Sequence, residues 1–138
     1  MEFPYREFDP EALQRLDKLC ASADAGIVVS SSWRSGRDLP GLRDLFADVV
    51  SYWELDLSIV DRICGATEIL KRTRGEEVDA WCSQHGVETH VILDDQKDFA
   101  ASQPLVWIDP TWGLIDANVE HAATFLSPGA DNTSPLTR

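Results

Sequence analysis

Three consecutive serines, Ser30, Ser31 and Ser32, follow directly on the apolar run 26–29. Their hydroxyl groups and several free backbone N–H groups meet at the predicted start of a loop or helix, an arrangement suited to holding an anion such as phosphate. We therefore expect Ser30 and Ser31 to bind a phosphate group. The alternative is that the serine side chains only cap the segment that follows.

Asp94 and Asp95 stand at the end of a second apolar run, 90–93. Adjacent carboxylates at a strand end are costly unless a cation or hydrogen-bond donors compensate them, and Mg²⁺ is one natural compensation. The pair is therefore a candidate metal site, to which Asp98 could add a further oxygen. The alternative is a pair of solvated loop carboxylates, with Asp95 or Asp98 capping a turn.

Arg74 lies at the predicted start of the helix that leads into the Asp94 run, with Lys71 and Arg72 just before it. A cation at that end works against the helix dipole, which is a mild penalty. The penalty is tolerable if the guanidinium serves a phosphate group or the aspartate pair. A solvated charged turn is the alternative.

Short apolar runs must position these groups. The runs 26–30, 90–93 and 105–108 are rich in β-branched residues and end in polar ones, which predicts strands buried on both faces. Because ligands of parallel α/β sheets collect at the carboxyl ends of the strands, attention falls on the polar residues there, which are Ser30, Asp94 and Asp109.

Helical segments alternate with these strands. Asp9 and Pro10 predict the start of a first helix, and Thr73-x-x-Glu76 is typical of a capping box, with Gly86 as a stop. The helices are predicted over about 10–20, 42–50, 74–84 and 118–125. This alternation predicts an α/β fold, a parallel sheet with helices on both faces.

The composition predicts one acidic folded domain. The 138 residues include 12 Lys and Arg against 24 Asp and Glu, a net charge of −12, and 43% are hydrophobic. We assign the domain to residues 1–126 and predict a disordered tail over 127–138. The charge argues against non-specific coating of nucleic acid. With no apolar stretch of about 18 residues, a soluble cytoplasmic protein without membrane partners is expected.

Metal-binding and nucleotide-loop motifs are missing from the sequence. Cys20, Cys64 and Cys82 are far apart and predict buried thiols in a reducing compartment. The three histidines have no metal-ligand spacing and are predicted to be structural. No Gly-x-Gly-x-x-Gly or Gly-Lys-Ser/Thr loop occurs, which excludes the usual dinucleotide and P-loop sites.

Together these elements resemble the haloacid dehalogenase (HAD) superfamily, and specifically the HAD-like domain of Swiss Army Knife RNA repair proteins. The resemblance rests on four segments in order, residues 27–34, 74–81, 91–95 and 109–114. It implies a Rossmann-like, three-layer sandwich with a mostly parallel sheet. It also implies a Mg²⁺-dependent phosphatase that hydrolyses a phosphomonoester, such as a nucleotide or an RNA end.

The resemblance assigns a role to each candidate residue. The hydroxyl residue that ends the second motif strand of the family binds the transferring phosphoryl group, which here falls on Ser30. The Lys or Arg of the third motif steadies the charge of nucleophile and phosphate, a role matched by Arg74 with Lys71 as the second choice. The acidic pair of the fourth motif helps to hold Mg²⁺ and matches Asp94 and Asp95.

One motif of that family has no counterpart here. Its members begin with a central strand that ends in Asp-x-Asp-Gly, and the first Asp attacks phosphorus. Residues 1–8 contain neither an apolar run nor paired aspartates, and Asp9 is a helix cap. Without the nucleophile a covalent phospho-aspartate cannot form, so we expect the chain to be inactive as it stands.

Three explanations remain open for the missing strand. The start could have been lost upstream, or the chain could be a pseudo-enzyme that binds a phosphorylated ligand or a protein. A partner chain, including a second copy, could also fill the vacant strand position. We expect either self-association or a sheet in which the strands that end at Ser30 and Asp94 pair directly.

Overall fold

A computed structural model describes residues 9–30, 36–70, 73–126 and 136–137 of the chain. Within these ranges, helices and short strands alternate, as the sequence predicted. In chain order the elements are α1 (Pro10–Ala23), β1 (Ile27–Val29), α2 (Leu39–Tyr52), α3 (Ile59–Arg62), β2 (Ile63–Ala66), α4 (Arg74–His85), β3 (Ile92–Asp94), β4 (Leu105–Trp107), α5 (Asp116–Phe125) and β5 (Leu136–Thr137).

The predicted helix ends are confirmed by local hydrogen bonds. Asp9 caps α1, because its Oδ1 atom accepts from the backbone N–H of Glu11 at 3.0 Å. Thr73 caps α4, because its Oγ1 atom accepts from the backbone N–H of Glu76 at 3.2 Å. Gly86 follows α4 with a φ of 63°, a left-handed conformation that glycine adopts without strain.

The strands form one parallel sheet in the order β2-β1-β5-β3-β4. Every residue of β1 and β3 is buried, which confirms the prediction of strands covered on both faces. The α/β class with a parallel sheet is thereby confirmed. Because the strands are parallel, their carboxyl ends lie at the same edge of the sheet.

Strand β2 was not predicted from the sequence. Ile63 is the only large apolar residue in the strand, and Gly65 weakens the strand signal. The strand lies at the edge of the sheet, and its residues are buried on one face only. A continuous apolar run is therefore absent where the strand forms.

The central position of the sheet is occupied by β5, from the far end of the sequence. Leu136 and Thr137 pair with β1 on one side, and Thr137 pairs with Ile92 of β3 on the other. Of the two alternatives expected for the vacant position, direct pairing of β1 and β3 is therefore wrong, and self-association stays a prediction. A disordered tail was predicted over 127–138, whereas its residues 136–137 form this strand. Residues 1–8 and 127–135 lie outside the described ranges.

Helix α1 contacts both α5 and α3. Arg15 of α1 joins α5 through its Nη1 donation to the Leu114 carbonyl and its Nε donation to Asp116, both at 3.0 Å. Asp17 of α1 accepts from the backbone N–H of Ser58, just before α3, at 2.8 Å. None of the helices in the part of the chain that the structure describes is long and apolar enough to span a membrane.

Candidate functional site

Ser30 lies directly after β1 and is fully buried. Its position at the carboxyl end of an inner strand is the one that the sequence predicted. Ser31 lies outside the described residues, as do Lys71 and the rest of the serine cluster. The predicted phosphate-binding and catalytic roles of Ser31 and Lys71 stay predictions.

Arg74 and Asp94 form a partly buried ion pair at the same edge of the sheet. The Nη1 atom of Arg74 donates to both carboxylate oxygens of Asp94, at 2.7 Å and 2.8 Å. The Asp94 side chain is 4% exposed and that of Arg74 is 23% exposed. The backbone N–H of Gln96 donates to Oδ1 of Asp94 at 3.0 Å. Asp94 is thus compensated by a guanidinium and a backbone donor, as buried carboxylates require.

The loop after β3 holds the N-terminus of α4, so that Arg74 is fixed in place. The backbone N–H of Arg74 donates to Oδ2 of Asp98 at 3.1 Å, and that of Gly75 donates to the Asp98 carbonyl at 3.2 Å. A Cβ atom on Gly75 would lie 2.5 Å from Oε1 of Gln103 and 3.0 Å from the backbone carbonyl oxygen of Asp98, so a larger residue would require both the Gln103 side chain and the loop to shift. The carboxylate of Asp98 also offsets the unfavourable position of a cation at a helix N-terminus.

The three carboxylates considered as magnesium ligands have different surroundings. Asp94 faces Arg74, Asp98 bonds to the helix N-terminus, and the Asp95 side chain is exposed. Within the described ranges, no group of three or more His, Cys, Asp or Glu side chains is arranged to hold a metal ion. In this arrangement the residues do not fit Mg²⁺, because the cation at Asp94 is the guanidinium.

Asp109, the polar residue after β4, shapes a turn. Its Oδ1 atom accepts from the backbone N–H of Thr111 at 2.9 Å, and its carbonyl accepts from that of Gly113 at 2.8 Å. Gly113 has a φ of 68°, as a turn of this kind requires. Asp109 is therefore engaged in loop structure at the same edge of the sheet.

Thr67 is a candidate residue that the sequence reasoning missed. It follows β2, which is adjacent to β1, and its backbone N–H donates to the carbonyl of Val29 at 3.0 Å. Ser30 and Thr67 are therefore neighbours at the carboxyl ends of paired strands. Thr67 is 3% exposed, and its Oγ1 atom has no hydrogen-bond partner among the described residues. A strand prediction over 63–66 would have drawn attention to it.

The cysteines and histidines stay outside this site. Burial raises the pKa of Cys20 to about 12, whereas Cys64, predicted to be buried, is exposed on edge strand β2. Burial lowers the pKa of His90. His85 stacks on Trp81, with ring centroids 3.7 Å apart. The structural role of the three histidines stays a prediction.

One comparison with known proteins gives a match. The family described as HAD domain in Swiss Army Knife RNA repair proteins matches residues 1–119. The matched range includes Ser30, Arg74 and the Asp94–Asp95 pair. No curated protein and no solved structure matches the chain.

Proposed function

The chain belongs to the family of HAD domains in Swiss Army Knife RNA repair proteins, and from this premise we propose that it is a phosphatase-type domain that binds phosphomonoesters. The observation that carries the proposal is the Arg74–Asp94 pair, which lies at the same edge of the parallel sheet as the buried Ser30. Ligands of such sheets bind at this edge.

Each residue has a defined task in this proposal. Arg74 supplies the positive charge that attracts the phosphate, since a guanidinium forms strong charge-assisted hydrogen bonds with phosphate oxygens. Asp94 accepts from Nη1 and so orients the guanidinium, which leaves the other N–H groups of Arg74 for a ligand. Ser30, with Ser31, donates hydrogen bonds to the phosphate oxygens. Lys71 is the second candidate for the cationic role.

We further propose that the chain as it stands binds its ligand without hydrolysing it, as a pseudo-enzyme does. No Asp-x-Asp-Gly motif occurs among its 138 residues, so the family's nucleophile has no counterpart. The family description favours a nucleotide or an RNA end as the ligand. The net charge of −12 favours a ligand with few phosphates over a long polyanion.

We also propose a condition under which Mg²⁺ binds at this edge of the sheet. Asp94 and Asp95 would supply carboxylate oxygens to Mg²⁺ only if Arg74 moved from Asp94 to the phosphate. When bound, Mg²⁺ would neutralise charge on phosphoryl oxygens.

A Rossmann-like, three-layer sandwich is the arrangement we propose for the helices around the sheet.

Titration of inorganic phosphate into the full chain, followed by calorimetry, tests the proposal. We expect binding that Arg74→Gln weakens by more than tenfold and that Arg74→Lys partly retains, because a positive charge remains. Arg62→Gln is the matched control, since Arg62 bonds to Asp24 and to the Ala25 carbonyl before β1, at the opposite edge of the sheet. Equal affinity in wild type and Arg74→Gln, or no binding by wild type, would refute the proposal.

The absence of hydrolysis has its own test. With p-nitrophenyl phosphate and Mg²⁺ we expect negligible turnover by the chain. Robust turnover that Asp94→Asn abolishes would show that the account of the missing nucleophile is wrong. Binding of phosphate without turnover would support the pseudo-enzyme.

A further inference from the structure

An open cleft of about 590 Å³ lies beside the end of β2, one strand away from Ser30. One wall is formed by the start of α2, and the other by the linker that follows β2. The wall residues used below are Asp38, Leu39, Thr67, Glu68 and Ile69. Because paired strands lie about 4.8 Å apart, this cleft begins next to the edge at which we place the phosphate.

Thr67 lines this cleft and carries a buried hydroxyl group. Its side chain is buried, and Oγ1 has no partner among the described residues. Buried polar atoms of folded proteins nearly always have a partner, so each exception calls for an explanation. A threonine hydroxyl both donates and accepts hydrogen bonds. A hydroxyl group of a ligand does the same and can therefore pair with it.

The linker after β2 is anchored at both ends. Thr67 donates its backbone N–H to Val29 of β1, and Leu70 donates its backbone N–H to Oε2 of the buried Glu77 of α4, at 2.7 Å. Between these anchors Ile69 is 56% exposed on the cleft wall, opposite Leu39. The cleft therefore combines a hydroxyl group with an apolar surface, the usual composition of a small-molecule site.

We propose that this cleft binds the nucleoside part of a nucleotide whose single phosphate lies at the Ser30–Arg74 edge. The inference rests on the proposed function and adds to it the residues that bind the nucleoside part of the ligand. Thr67 bonds to a sugar hydroxyl, and the base lies against Ile69 and Leu39. The charged side chains that line the cleft are those of Asp38, Glu68 and Arg37, two carboxylates against one guanidinium, and this net negative charge disfavours a second phosphate there. A nucleoside monophosphate or a terminal nucleotide carries this chemistry.

Calorimetric titrations of the full chain with adenosine monophosphate, adenosine and inorganic phosphate test the inference. We expect the nucleotide to bind more tightly than inorganic phosphate. Thr67→Val should weaken nucleotide and adenosine binding about fivefold, the change that one hydrogen bond of about 1 kcal/mol produces. Affinity for inorganic phosphate should not change. Thr124→Val, at an exposed threonine of α5, is the matched control.

Ile69→Ser provides a second variant, at an exposed position where folding is not at risk. It should weaken nucleotide binding and leave phosphate binding unchanged. A short oligoribonucleotide with a terminal phosphate tests whether the ligand is a free mononucleotide or the terminal nucleotide of an RNA. Affinity equal to that of the mononucleotide, with the same loss in Thr67→Val, indicates a terminal nucleotide, and weaker binding indicates a free mononucleotide.

The outcomes separate this inference from the proposed function. If inorganic phosphate does not bind, the proposed function fails, and the adenosine titration with its Thr67→Val loss still decides about the cleft. If phosphate binds but the nucleotide binds no more tightly, the cleft has no role. Nucleotide affinities that are the same in wild type, Thr67→Val and Ile69→Ser would likewise overturn the inference.

Discussion

The Nη1 atom of Arg74 lies between the two carboxylate oxygens of Asp94, at 2.7 Å and 2.8 Å, although the residues are twenty positions apart in sequence. Arg74 is the first residue of α4, and Asp94 is the last residue of β3. The ion pair therefore ties the start of a helix to the end of the strand that follows it. We expect both the stability of this edge and the proposed binding of phosphate to depend on the pair.

Asp94→Asn should lower the free energy of unfolding by about 1–3 kcal/mol, because it leaves a partly buried guanidinium without its counter-charge. Urea denaturation measures the change. Asp24→Asn is the matched control, since Asp24 pairs with Arg62 but its side chain is 96% exposed. Exposed pairs contribute little, so the control should leave the free energy of unfolding nearly unchanged. If the two substitutions lowered the free energy of unfolding equally, burial of the Arg74–Asp94 pair would not be the source of its contribution to stability.

Gly65→Ala should destabilise the protein by about 1–3 kcal/mol, as overpacking does. A Cβ atom at Gly65 would lie 2.3 Å from the Trp81 ring atom Cη2, so the indole must move. Thermal unfolding and tryptophan fluorescence should both report the change. In a Trp81→Leu background the smaller side chain leaves room, and the cost of Gly65→Ala should fall. An equal cost in both backgrounds would show that the contact is not its source.

His90 should make the protein less stable in acid. Burial lowers the pKa of His90 below the ordinary value of 6.5 in the folded chain, so the unfolded chain binds its proton first. The free energy of unfolding should therefore fall as the pH drops below about 6.5 and level off below the folded pKa. Urea denaturation of His90→Gln should show a shallower fall over this range. His121→Gln, at an exposed position on α5, should keep the wild-type pH dependence.

The three thiols should react at different rates with iodoacetamide at pH 8. Partial burial also raises the pKa of Cys64, but this thiol is the exposed one and should be modified first, whereas Cys20 is buried and has a pKa of about 12. Burial, with the charge of Asp79, raises the pKa of the partly exposed Cys82 to about 11, so its thiolate is scarce. Peptide mass spectrometry resolves the order. Fast modification of Cys20 in the folded chain would contradict its position in the core.

Features that depend on neighbouring residues could be predicted from the sequence. The caps at Asp9 and Thr73 and the stop at Gly86 depend on side chains within three residues of a helix end or on the freedom of glycine. Strands β1 and β3 were predicted because strands buried on both faces need continuous apolar runs. The polar groups at their carboxyl ends were predicted from the points at which these apolar runs end.

The centre and the edge of the sheet were decided by tertiary structure. Strand β2 is an edge strand with one buried face, so its sequence carries no continuous apolar run. Strand β5 pairs with β1 and β3 through only two residues, too short a segment for any periodicity to be visible. Backbone hydrogen bonding to distant strands, which side-chain patterns do not encode, determines both positions.

The sequence by itself determined which residue types meet at the candidate site, because Ser30, Arg74 and Asp94 each stand at the end of a predicted element. Only the tertiary structure decided how they are paired. It set Arg74 against Asp94, engaged Asp98 at the start of α4, and brought Thr67 next to Ser30. Pairing depends on distances between elements far apart in sequence, and those distances are set by how the helices and strands pack together.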